Sequence, residues 1–264
     1  MSYLTKIKQE SPLIFNVMNE VATNFAANGL IAIGASPAMS HTPREAGEMA
    51  QHADAVVLNL GTLTEERAEA MLLAGKSANE SGVPVILDPI AIGATTFRTT
   101  VIHEILSTVK LAVICANAGE IAVLGNALDK TVSPDNVLAE NDPAIAKLVA
   151  EKYDTIVVAT GETDVITDGQ RTILCQNGHE MLQNITASGC TLNSIIAAFV
   201  STAEGDMYDA CTRAVAGYGI AAEEAMKRAT GPGSFIPAFL DQLYFLTDEI
   251  IAMQAKLNVM EEQL

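Results

Sequence analysis

Short, nearly unbroken apolar runs recur along the chain at Pro12–Phe15, Ala55–Leu60, Val83–Leu87, Leu111–Cys115 and Thr155–Ala159. Between them lie longer stretches with helical spacing: Val21–Ile33, Pro43–Gln51, Glu65–Ser81, Thr99–Thr108, Ala118–Leu124 and Pro143–Tyr153. A strand buried on both faces loses its alternation and reads as a continuous apolar run. Runs and helices in alternation therefore predict an α/β fold, a mostly parallel central sheet with helices on both faces. Ligands of such sheets bind beyond the C-terminal ends of the strands.

After Thr160 the rhythm changes. Val165–Asp168, Arg171–Cys175 and Glu180–Ile185 predict short strands, the first two joined through Asp168-Gly169, that extend the sheet in antiparallel fashion. Three helices are expected next, over Cys190–Ala203, Met207–Lys227 and Phe235–Lys256, and then a frayed acidic tail, Leu257–Leu264. No repeat or linker interrupts the pattern, so residues 1–264 are read as one domain.

Charge narrows the partners. With 32 acidic against 15 basic side chains the net charge is −17, which argues against nucleic acid. An anionic ligand must then be held by backbone N–H groups, a metal ion or a few local bases. No apolar run reaches the ~18 residues of a membrane span. Met1–Ser11 lacks the apolar core of a signal peptide, so a cytoplasmic protein is expected. Cys115, Cys175, Cys190 and Cys211 show neither zinc spacing nor a disulfide framework.

Four segments carry candidate chemistry. In Thr186-Ala-Ser-Gly-Cys190, small residues lead into an apolar helix. Unpaired N–H groups and the helix dipole there make an anion site and favour a thiolate at Cys190. The same residues also read as an ordinary turn before a packed cysteine. Asp88 ends an apolar run ahead of Pro89, placed either to hold magnesium or to cap the next loop. Asn117 and Glu120 have capping-box spacing, and Glu120 is also placed to share a metal with Asp88. Thr160-Gly161 ends a further run, as a phosphate contact or as a plain turn. The histidines His41, His52, His103 and His179 show no ligand spacing.

In this order the four segments resemble the hydroxyethylthiazole kinases of the ribokinase-like superfamily. Asn19–Asn28, Gly34–Met39, Leu58–Leu63 and Gly231–Phe235 add to the match, which spans about residues 12 to 250. The resemblance implies a ribokinase-like three-layer domain and a homotrimer with active sites between subunits. The implied reaction is transfer of the γ-phosphoryl of ATP, with Mg2+, to the primary alcohol of 4-methyl-5-(2-hydroxyethyl)thiazole. By the same resemblance Cys190 is the catalytic residue, where most ribokinase-like enzymes place an aspartate. Asp88 and Glu120 organise magnesium. Asn19, Val21, Met39 and Ala187 lie on the alcohol side, and Cys115, Asn117, Thr160, Ser188 and Gly189 on the nucleotide side.

Three positions depart from the family pattern. Cys115-Ala116 replaces an Arg-Gly pair, Ala187 replaces the first glycine of a Thr-Gly-x-Gly-Cys loop, and Met18 replaces a threonine. The missing arginine points to weaker nucleotide binding, and alanine at a loop position suited to glycine points to strain. Other readings are a kinase for another small alcohol such as a hydroxymethylpyrimidine, a binding paralogue without turnover, or a cysteine hydrolase using His179.

Overall fold

A computed structural model describes residues 2–125 and 141–260. Among them the strands are β1 (Leu13–Val17), β2 (Ser36–Met39), β3 (Ala55–Asn59), β4 (Val85–Asp88), β5 (Val113–Asn117), β6 (Ile156–Thr160), β7 (Asp164–Thr167), β8 (Thr172–Cys175) and β9 (Leu257–Val259). They form one sheet in the order β2-β1-β3-β4-β5-β6-β7-β8-β9. The pairs from β2 through β6 are parallel, and those from β6 through β9 are antiparallel.

Each parallel strand buries alternate residues on opposite faces. Ile14, Val57, Ile86, Val113 and Val158 pack under α2 (Glu20–Ile33), α8 (Ser188–Ser201), α9 (Met207–Met226) and α10 (Pro232–Phe245). Phe15, Val56, Leu58, Val85, Leu87, Ile114 and Val157 pack on the other face. That face is covered by α3 (Pro43–His52), α4 (Glu65–Glu80), α5 (Thr96–Thr108), α6 (Ala118–Leu124) and α7 (Pro143–Tyr153). The two faces give two cores, and both account for the unbroken apolar runs.

Several expectations need correction. Glu180–Ile185 is not a strand: Glu180–Asn184 forms a 3-10 turn, started by His179 Nδ1 accepting from Met181 N at 3.1 Å. The helix expected over Phe235–Lys256 is two, α10 and α11 (Asp248–Gln254). Thr247 caps α11 through its side chain, accepting from Ile250 N at 3.3 Å. The start of the tail is β9, not a frayed end, since Ile173 of β8 pairs with Val259. Residues 261–264 of that tail lie outside the described residues. α1 (Tyr3–Glu10) and β2 were not anticipated. α1 buries Tyr3, Leu4 and Ile7 and is pinned by Asp248, whose carboxylate accepts from Leu4 N and Thr5 N, each at 3.0 Å.

Asn177 ties the far edge together. It accepts from Lys256 N at 2.7 Å and donates to Gln254 O at 3.1 Å, fixing the chain where it enters β9. Gly219 of α9 lies against it, and a Cβ there would stand 2.4 Å from the Asn177 carbonyl oxygen. Gly219→Ala should therefore push α9 off this turn and cost about 1–3 kcal/mol. A urea unfolding curve checks this, and an unchanged midpoint would show that the turn yields freely.

Candidate active site

Four adjacent parallel strands end in polar residues: Asn59 on β3, Asp88 on β4, Asn117 on β5 and Thr160 on β6. Asn59 is in register with Asp88, and Asn117 with Thr160. By alternation all four share the face of Val57, Ile86, Val113 and Val158, which lies beneath α8. The N-terminus of α8 thus sits over a row of strand ends, where crevices form in parallel sheets.

The turn into α8 is open. Ala187 has φ 69°, the left-handed region, and offers no side-chain cap to the helix. Its carbonyl accepts from Thr191 N at 2.9 Å, so the N–H groups of Ser188, Gly189 and Cys190 precede the first intrahelical bond. No atom lies within 4 Å of where a Cβ on Gly189 would be, so the backbone there faces space. Ser188 is anchored from behind: its hydroxyl donates to Leu182 O at 2.7 Å, and its carbonyl accepts from Tyr218 OH at 2.8 Å. The loop therefore presents unpaired N–H groups at a helix start, and Ala187 adopts the left-handed conformation that costs a residue with a Cβ.

Cys190 is 9% exposed and faces amides. Asn59 Nδ2 donates to its sulfur at 3.2 Å and Asn19 Nδ2 at 3.5 Å. Burial, and then the negative charge of Asp88, push the Cys190 thiol up to about 12. The expected thiolate is thus corrected: at neutral pH this is a neutral thiol, because desolvation and a nearby carboxylate outweigh the helix terminus. His179 Nδ1 accepts from Met181 N, and no hydrogen bond among the described residues joins His179 to Cys190, so nothing observed pairs them as the hydrolase reading requires.

Asp88 is 5% exposed. Burial, and then Glu120, push its carboxyl up to about 8, offset in part by hydrogen bonds from Asn59 and Cys190. Glu120 makes the capping box: its Oε2 accepts from Asn117 N at 3.1 Å, while Asn117 Oδ1 accepts from Glu120 N at 2.9 Å. Its Oε1 accepts from Ala91 N at 2.8 Å, across to the loop after β4, where Ala91 itself has φ 58°. Capping and a carboxylate interacting with Asp88 thus coexist in one residue. A buried carboxyl whose proton affinity is raised by a second buried carboxylate suits a divalent cation, which would reverse that shift.

The arginines nearest these loops brace backbone. Arg98 Nη1 donates to Leu60 O and to Ile90 O, the latter at 3.1 Å, clamping the loops after β3 and β4. Arg67 Nη1 donates to Thr62 O and to Thr62 Oγ1, the latter at 2.8 Å. Cys115, expected on the nucleotide side, is 2% exposed and packs in the core under α8, so it presents no face to a ligand. Thr160 donates to Ala116 O at 3.3 Å at the mouth of the same strands. Met39 ends β2, partly buried against that core, whereas Val21 on the first turn of α2 is 59% exposed.

One residue was missed in the sequence. Asn59 is fully buried and contacts Asp88, Cys190 and Asn19 together. Its signal was a polar side chain inside the apolar run Ala55–Leu60. The approach needs Gly61, where a Cβ would lie 2.6 Å from Asn19 Nδ2.

Comparison with known proteins now adds to this geometry. Residues 4–249 match the model of the hydroxyethylthiazole kinase family. The chain is 67% identical over 246 residues to hydroxyethylthiazole kinase 2 of Oceanobacillus iheyensis, covering 93% of this chain and 94% of that one. The structure is similar to that of a hydroxyethylthiazole kinase protein from Pyrococcus horikoshii OT3, with a TM-score of 0.87, 37% identity and 98% of both chains covered. A pyridoxal kinase from Staphylococcus aureus, solved with AMP-PCP and pyridoxal, shares the fold alone, with a TM-score of 0.63 at 13% identity over 95% of this chain and 99% of that one.

Two measurements probe the local physics. Ala187→Gly should raise stability by about 0.5–1 kcal/mol, because relief of the left-handed penalty exceeds the added freedom of the unfolded chain. Denaturant unfolding reads this, and a loss of stability would show that Ala187 is unstrained. Alkylation of Cys190 by iodoacetamide, followed by peptide mapping, should keep rising beyond pH 10 in the folded protein. In urea it should level off about one unit above the ordinary thiol value near 8.5. A folded-state plateau below pH 9 would contradict the raised thiol.

Proposed function

Because the chain belongs to the hydroxyethylthiazole kinase family, we infer that it moves the γ-phosphoryl of ATP to the primary alcohol of 4-methyl-5-(2-hydroxyethyl)thiazole. The observation that carries the reading is the open N-terminus of α8, with Cys190 in its first turn, above Asn59 and Asp88. In this reaction a bond forms between the alcohol oxygen and γ-phosphorus while the β–γ oxygen bond to that phosphorus breaks. The alcohol proton leaves late, and little covalent chemistry is asked of the protein.

Each residue then has a physical task. The N–H groups of Ser188, Gly189 and Cys190 point where charge builds on the transferring group. Asn19 and Cys190 meet at 3.5 Å, and in this reading the alcohol sits beside them. A neutral thiol cannot take up a second proton, so Cys190 acts by orienting the hydroxyl, whose proton passes to a phosphoryl oxygen as transfer completes. Thr160 and Asn117, in register at the ends of β6 and β5, lie on the nucleotide side. Cys115 does not supply the charged fork of an arginine, so fewer cations meet the phosphates.

The donor set fits magnesium. Asp88 and Glu120 would hold it, in part through water because each Glu120 oxygen already accepts one N–H, and the ion would neutralise phosphate charge. We further propose a homotrimer with sites between subunits. Support comes from Val21, which lies on the alcohol side yet is 59% exposed in the single chain, leaving that side uncovered. A cytoplasmic location is proposed as well, and no helix among the described residues is long and apolar enough to cross a membrane. A hydroxymethylpyrimidine kinase is not favoured, since both the family and the 67%-identical relative are thiazole kinases.

Incubation with ATP, Mg2+ and the thiazole alcohol should yield ADP and the thiazole phosphate in equal amounts. Binding of the alcohol without product would instead mark a non-catalytic paralogue. Cys190→Ala should lower kcat by about tenfold, the scale of one lost orienting hydrogen bond, without abolishing it. An unchanged kcat in that variant would remove Cys190 from the chemistry.

A further inference from the structure

Asn59 is a fully buried amide in a strand that is otherwise apolar. A carboxamide has two N–H donors and one oxygen with two lone pairs. Here the donor side faces Asp88 Oδ2 at 2.5 Å and Cys190 Sγ at 3.2 Å. The oxygen accepts from Asn19 Nδ2 at 2.8 Å and from Gly61 N at 3.1 Å. The orientation is determined by these partners. Flipping the amide would set its oxygen against a carboxylate oxygen and its NH2 against two N–H donors, so only one arrangement is satisfied.

This amide joins three parts of the site that come from distant places in the chain: the strand-end carboxylate, the thiol of α8 and the cap of α2. Asn19 in turn fixes α2, its Oδ1 accepting from Ala22 N at 2.9 Å. We propose that Asn59 is a positioning residue of this kinase site, its N–H groups setting Asp88 and Cys190 and its oxygen setting Asn19 on the alcohol side. The two ends of the amide have separate effects. The donor end acts on the groups that serve transfer, and the acceptor end acts on the groups that hold the alcohol.

The inference rests on the kinase reading, and two variants separate the ends. Asn59→Asp keeps an acceptor for Asn19 and Gly61 but offers at most one proton where the amide offers two. Its kcat should fall tenfold or more, a loss on the scale of a hydrogen bond to a charged group, while KM for the thiazole alcohol stays within about twofold. Asn59→Ala loses both ends, so kcat should fall similarly and KM for the alcohol should rise about tenfold. Rates are taken per folded molecule, with folded fraction from circular dichroism. In a double-mutant cycle, Asn59→Ala should have less effect on kcat in a Cys190→Ala background than in the wild type. Equal KM in the two Asn59 variants, losses that only track the folded fraction, or full additivity with Cys190→Ala would each overturn the proposal. Absence of wild-type turnover would overturn the kinase reading itself.

Discussion

Burial of α8 is the constraint on which the site depends. Every residue from Cys190 to Val200 is buried, because the helix lies between the sheet and the surrounding layer of α2, α9 and α1. A helix packed on all sides cannot slide or roll without breaking contacts around its whole circumference. Its N-terminus is therefore held at one place over the strand ends. That packing sets where the open N–H groups and Cys190 stand, and the hydrogen bonds from Asn59 and Asn19 then orient the thiol.

Electrostatics then determines what the site lacks. The groups that act on the buried Cys115 thiol beneath the crevice include the carboxyls of Asp88, Asp164 and Glu120. The Arg98 and Arg67 guanidiniums nearest the loops are turned to backbone carbonyls. On the proposed reading, a cation held by the carboxylate pair would supply positive charge that these two arginines do not offer. In that reading an acidic protein of net charge −17 would handle an anionic substrate through oriented backbone and a bound cation.

Much of this was legible in the sequence because the physics involved is local. Continuous apolar runs predicted the parallel strands, and Asn117 with Glu120 predicted the capping box that is present. The failures share a cause. The Met181, Leu182 and Ile185 spacing resembled a strand, but His179 turns the chain through a contact that no periodicity encodes. The cap at Thr247 was visible as a threonine before two acids, yet the apolar spacing ran past it. The charge state of Cys190 was misjudged because a helix terminus is a local feature, whereas its desolvation and the proximity of Asp88 come from the assembled fold. Asn59 was missed because its role exists only when three separate segments converge.

Strand parity has a consequence for how such a site can change. Asn59 and Asp88 end neighbouring strands in register and reach the same side of the sheet only because each run has the length it has. Removing or adding one residue within β3 would turn Asn59 toward the α4 side and bring Leu58 or Leu60 under α8. The polar row would be lost while the hydrophobic layers could still pair. Evolution of new alcohol preferences on this scaffold is therefore restricted to exchanging side chains at fixed positions. Variation in length is left to the loops beyond the strand ends, where it cannot invert the row.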